Sequence, residues 1–110
     1  MDDLVTTDWL ARNSGEADLV IVDCSIFMPA DQRDPATEFV EAHIPGARFV
    51  DLASVVDRDH SAPHMLPSAA DFGAAMVALG VGRDDRIVVY DNSPLRSAAR
   101  GWFMLRHFGA

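Results

Sequence analysis

Two stretches of this chain set chemistry-bearing side chains directly after an apolar run. Val22-Asp23-Cys24-Ser25 carries the only thiol of the molecule, and Val89-Tyr90-Asp91-Asn92-Ser93-Pro94-Leu95-Arg96-Ser97 carries a carboxylate, an arginine and hydroxyls. In an open α/β sheet the carboxyl ends of the strands are where ligands collect. A loop of backbone N–H groups entering a helix, helped by an arginine, can hold an anion and lower the pKa of a thiol placed in it. In the second stretch that loop begins with Asp91, and Pro94 removes one N–H from it. Cys24 reads as a small, buried and inert cysteine despite its position at a strand end. Being alone, it rules out an intrachain disulfide and a cysteine-based zinc site. His43, His60 and His64 lie on a turn and a loop without metal-ligand spacing, so neither metal nor cofactor is implied. His43 reads as a structural histidine bonded to the backbone of its own turn. Asp23 is expected to accept loop N–H groups or to pair with an arginine, and Arg100 to brace its own helix or an interface. Met65, Trp102 and Phe108 read as core or interface packing.

These side chains need strands and helices to place them. Thr6 or Thr7 caps a short helix that carries Trp9 and Leu10 toward the core and ends near Asn13-Ser14-Gly15. Leu19 to Val22 is a continuous apolar run, the pattern of a strand buried on both faces of a parallel sheet. Ile26 to Pro35 is a loop, and a helix near Ala36 to Ala42 follows it. Pro45 stops that helix and biases Ile44 away from helical backbone, Gly46 turns the chain, and Phe49-Val50 start an apolar strand. Asp51 to His60 reads as a loop with a helical turn, and Ser61 to Pro67 carries two prolines and His64; so long a connection points to function or a partner surface. Ser68-Ala69-Ala70-Asp71 reads as a capping box, opening a helix with Phe72, Ala75, Met76 and Leu79 on one face and Gly80 at its end. Arg86 to Tyr90 is the second buried strand. Ser97 is expected to cap a last helix that carries Trp102, Leu105 and Phe108 and stops at Gly109. Strands alternating with helices imply a three-layer α/β/α domain around a mainly parallel sheet.

Composition agrees with one globular domain over residues 1–110: 49% apolar and 24% charged residues, a size that buries roughly two-thirds of its unfolded surface. No apolar run nears the ~20 residues of a membrane span, and Met1-Asp2-Asp3 lacks a signal-peptide start, so a cytoplasmic protein is expected. A net charge of −8 argues against nucleic acid and against an anionic membrane surface as partners, while leaving room for a small anionic substrate.

Phe39, three free positions, then His43-Ile44-Pro45-Gly46-Ala47, two more positions and Val50 resemble the amino-side signature of the rhodanese family, sulfurtransferases that move sulfane sulfur. The resemblance continues through Val22-Asp23, Arg33-Asp34-Pro35, Pro63-His64-Met65-Leu66-Pro67, Val88-Val89-Tyr90-Asp91 and Ser97-Ala98-Ala99-Arg100-Gly101-Trp102 to Phe108-Gly109. Together these look like the amino-terminal domain of a tandem thiosulfate or 3-mercaptopyruvate sulfurtransferase.

The resemblance implies that Asp91 stands where a rhodanese domain carries its nucleophilic cysteine. A carboxylate cannot form a persulfide, so the chain alone is expected to be inactive, with the catalytic cysteine on a second rhodanese domain. Arg96 and Ser97 keep the family's spacing from the nucleophile position and are the expected contacts to a small anionic sulfur donor. His64 is the expected relay residue facing the second domain; the aspartate expected to assist it is replaced by Ala53, and Asp51 or Asp57 could stand in. A cysteine-dependent phosphatase of related fold is excluded, because it needs a cysteine where Asp91 stands and five residues, not four, before the arginine. A catalytically inactive rhodanese-like binding module is the alternative. A complete rhodanese domain continues past Phe108-Gly109 with a strand, a Gly-Gly turn and a helix. The resemblance therefore also implies either a truncated domain or a chain that completes its sheet by association, such as a homo-oligomer.

Overall fold

A computed structural model describes residues 4–52, 54–56 and 66–108. Its elements run α1 (Thr7–Asn13), β1 (Leu19–Asp23), a 3-10 turn (Pro29–Asp31), α2 (Pro35–Glu41), β2 (Arg48–Phe49), α3 (Ala69–Leu79), β3 (Arg86–Tyr90) and α4 (Ala98–His107). The three strands form a parallel sheet in the order β2-β1-β3. β1 is central, with Val22 opposite Arg48 on one side and Leu19 to Asp23 opposite Arg86 to Tyr90 on the other.

Every residue of β1 is buried, as its unbroken apolar run requires of a strand covered on both faces. Its side chains alternate between two cores. Val20 and Val22 pack with Cys24, Val50, Leu52, Phe72 and Met104 beneath α3 and α4. Leu19 and Ile21 pack with Leu10 and Val88, flanked by Trp9, Ile44 and Tyr90. The domain is thus layered α/β/α, as expected.

Local signals account for the helix boundaries. The Thr6 hydroxyl accepts from Trp9 N at 3.0 Å, deciding between the two candidate threonines. Asp34 caps α2 through Ala36 N, with Pro35 in the first turn where its missing N–H costs nothing. Ser68 caps α3 through Asp71 N, and Gly80 closes it at φ +77°, a left-handed conformation few other residues accept. On α3, Phe72 is buried and Met76 and Leu79 pack on the same core. Phe72 also stacks on Phe108, ring centroids 4.5 Å apart.

Two expectations change. The strand after the Ile44-Pro45-Gly46 turn is Arg48–Phe49 and lacks Val50, although Val50 N still donates to Asp23 O at 3.1 Å. On α4 the residue sealed in the core is Met104, while Trp102 is 40% exposed. The helix faces the sheet through Gly101 and Met104, one residue or about 100° round from the position of Trp102, while Leu105 and Phe108 pack half-buried on the same core as expected.

Candidate functional site

The site gathers at the carboxyl ends of β1 and β3, which the parallel pairing brings side by side. The chain leaving β1 and the chain leaving β3 are laced together by three serine hydroxyls. Ser25 Oγ donates to Asp23 Oδ1 at 2.6 Å and accepts from Asn92 N at 2.9 Å. Ser93 Oγ donates to Ile26 O and accepts from Leu95 N at 3.1 Å. Ser97 Oγ accepts from Ile26 N at 2.9 Å. Asp23 also accepts from Ser25 N at 2.9 Å, so it serves its own loop, one of its two expected roles.

Ser97 therefore does not cap α4. It stands at the cap position with helical backbone angles and makes no side-chain cap bond, because its hydroxyl is committed to Ile26. Asp91 does the capping from a distance: its Oδ2 accepts from Ala98 N at 2.8 Å and its Oδ1 from Ser93 N at 3.1 Å. A carboxylate at a helix amino terminus is favoured by the dipole as well as by the hydrogen bonds. Arg96 is exposed and holds a left-handed φ of +53°, tied by Arg96 N to Ser93 O at 3.0 Å. Ser97, by contrast, is buried.

Cys24 is 2% exposed and packs against α4. Burial, reinforced by the nearby Asp23 and Asp91 carboxylates, pushes its thiol up to about 12. A nucleophilic thiol requires the opposite environment, so the inert reading of Cys24 matches its surroundings.

Behind the loop, a cleft of about 180 Å³ is bounded by Asp23, Ser25, Phe27, Glu38, Tyr90 and Asn92, among others. Arg33 ties three of these residues together. Its guanidinium lies over the Phe27 ring at 3.9 Å, grips Glu38 through Nε (2.8 Å) and Nη2 (2.6 Å), and donates to Asn92 O at 3.2 Å. The signature turn is fixed from the same side. Tyr90 Oη accepts from Ile44 N at 3.3 Å, and burial, with a smaller contribution from the nearby Asp23 carboxylate, raises the phenol above its ordinary pKa. His43 stacks on Phe39 with centroids 4.2 Å apart and bonds Phe39 O through Nδ1 at 2.6 Å, the structural role expected of it.

The structure thus brings together Asp91, Arg96 and Ser97 on one loop. His64, with Ala53, Asp57, His60 and Met65, lies outside the described residues. Sequence reasoning missed Ser25 and Ser93. The only signal was a small hydroxyl residue just past each strand, and bonds between residues 67 apart in sequence have no local signature. Among the described residues no group of three His, Cys, Asp or Glu is placed to hold a metal, and no helix is long and apolar enough to cross a membrane.

A parallel α/β/α domain with an anion-type loop between a strand and a helix defines a broad class of group-transfer and binding domains. Comparison with known proteins narrows it. The family model for the Rhodanese-like domain matches residues 6–110, and the chain belongs to the rhodanese family. It is 48% identical over 106 residues to "Thiosulfate/3-mercaptopyruvate sulfurtransferase 2" of Arabidopsis thaliana, covering 96% of this chain and 31% of the relative. It is 42% identical to the 3-mercaptopyruvate sulfurtransferase of Escherichia coli K12, covering 96% of this chain and 38% of that one. The crystal structure of SseA from Escherichia coli superposes with a TM-score of 0.86 at 42% identity, covering 93% of this chain and 39% of that chain. The match falls on the amino-terminal region of these enzymes, and the chain spans about a third of their length.

Proposed function

We propose that this chain forms one wall of the active site of a tandem sulfurtransferase whose persulfide-bearing cysteine sits on a second rhodanese domain. The observation that carries the reading is Asp91. By the family resemblance it takes the nucleophile position, and its carboxylate is bonded to Ser93 N and Ala98 N, while the only thiol is buried. Neither group can take up sulfur. In the complete reaction the partner domain's thiolate attacks the outer sulfur of thiosulfate or the thiol sulfur of 3-mercaptopyruvate. The donor's bond to that sulfur breaks, sulfite or the enolate of pyruvate leaves with the electron pair, and the enolate takes up a proton. The resulting persulfide then passes its outer sulfur to a thiol or to cyanide.

Within that reading Arg96 offers an exposed cation to the small anionic donor, Ser97 shapes the loop beneath it, and His64 relays a proton from the wall. The partner is a second rhodanese domain, in the same longer chain or by association, or a second copy of this chain across the open side of β3. The setting is cytoplasmic, without nucleic acid, membrane, metal or cofactor. The test is to incubate the 110-residue chain with thiosulfate or 3-mercaptopyruvate and weigh it intact under non-reducing conditions. No added sulfur is expected. A mass increase of one sulfur that disappears in Cys24→Ser would refute the reading.

A further inference from the structure

Five of the N–H groups in the loop from Asp91 to Ala98 already have acceptors within the chain. That of Asn92 is taken by Ser25 Oγ, Ser93 by Asp91 Oδ1, Leu95 by Ser93 Oγ, Arg96 by Ser93 O and Ala98 by Asp91 Oδ2. Pro94 has none to give. Buried and half-buried backbone donors demand acceptors, and here the chain supplies them internally. The two acceptors furnished by Asp91 reach both ends of the loop, three residues before Arg96 and at the first turn of the 10-residue helix α4. A negative charge is favoured there by the helix dipole.

We propose that Asp91 is a positioning residue whose carboxylate serves as the loop's own anion, so that the Ser93 and Ala98 N–H groups are held closed and take no sulfur oxyanion, leaving the Arg96 side chain as the loop's only contact to one. This goes beyond the missing thiol. Replacing the nucleophile by alanine would also abolish persulfide formation, but would leave the Ser93 and Ala98 donors open. An aspartate closes them and keeps the Ser93-Ile26 and Ser97-Ile26 ties in register. The inference rests on the bond accounting alone and holds whether or not a second domain carries the sulfur.

The test is an amide NMR titration with inorganic thiosulfate, at concentrations too low for general salt effects, of the wild type, Asp91→Ala and Asp91→Asn. In the wild type the Ser93 and Ala98 resonances are expected to stay still. In Asp91→Ala their protection from hydrogen exchange should fall about tenfold or more, the equivalent of one lost cap, and thiosulfate should move both resonances to saturation. Should Asp91→Ala not give a native spectrum, Asp91→Asn decides, since its amide oxygen can replace only one acceptor: protection at one of the two amides should drop about tenfold. Saturating shifts at Ser93 and Ala98 in the wild type would overturn the proposal. So would a folded Asp91→Ala that leaves thiosulfate unbound, or unchanged protection in Asp91→Asn.

Discussion

Gly101 shows how tightly α4 is laid on β1. A Cβ built at this position falls 2.6 Å from Cys24 Sγ and 3.3 Å from Cys24 Cβ, against the roughly 3.5–4.0 Å of a relaxed non-bonded contact. Both residues are buried, so the sulfur cannot swing into solvent and either the helix lifts or the cysteine leaves its rotamer. Overpacking of this kind costs about 1–3 kcal/mol. The gain in helix propensity from glycine to alanine offsets about 1 kcal/mol of it. Gly101→Ala should therefore destabilise by up to about 2 kcal/mol, a fall in Tm of up to several degrees for a domain this size. Cys24→Ala alone removes one buried atom and should cost about 1 kcal/mol, comparable to a single-methyl deletion. In the double variant the new methyl occupies the volume the sulfur vacates. The two losses should then fail to add, with a favourable coupling of at least about 1 kcal/mol in a urea-unfolding double-mutant cycle. Additivity within about 0.5 kcal/mol would refute the close approach of α4 to β1.

The Cys24 thiol also sets a pH dependence. The folded state keeps its proton up to about 12 whereas the unfolded thiol releases it near its ordinary value of 9.0, so above that pH folding loses stability. Stability from this group should be constant below pH 9 and fall by up to about 1.4 kcal/mol per pH unit between there and 12, and Cys24→Ala should remove that component of the alkaline loss. Ser97→Ala should cost about 1–3 kcal/mol, because it orphans Ile26 N rather than uncapping α4; amide exchange should accelerate at Ile26, and acceleration confined to the first turn of α4 would contradict this. Arg96→Gly should be neutral or stabilising by up to about 1 kcal/mol in thermal melts, since relief of a left-handed φ is set against the greater unfolded-state freedom of glycine.

The architecture was legible because each element carries its own signal. β1 is apolar throughout, α3 has Ser68 and Gly80 as its start and stop, and Ile44-Pro45-Gly46 can be little other than a turn. The lacing of the site was not. Ser97 precedes a helical stretch and has the composition of a cap, but a tertiary acceptor demand at Ile26, 71 residues away, outbid the local one. Asp91 could reach Ala98 only because Arg96 takes a left-handed turn, a conformation rare for arginine and invisible to propensity. On α4 Leu105 and Phe108 reach the core as expected, but Trp102 was misplaced: it outweighs Met104 in size, whereas the residue sealed against β1 follows the face that Gly101 presents.

The central claim, that this domain shapes a sulfurtransferase site without carrying the sulfur, is tested most directly by turnover. Cyanide and thiol acceptors should be offered to the 110-residue chain and to a form joined to a second rhodanese domain bearing a loop cysteine, with thiosulfate and with 3-mercaptopyruvate as donors. Activity is predicted only in the joined form, unchanged by Cys24→Ser and abolished by loss of the second domain's cysteine. Turnover by the 110 residues alone that vanishes with Cys24→Ser would contradict the account.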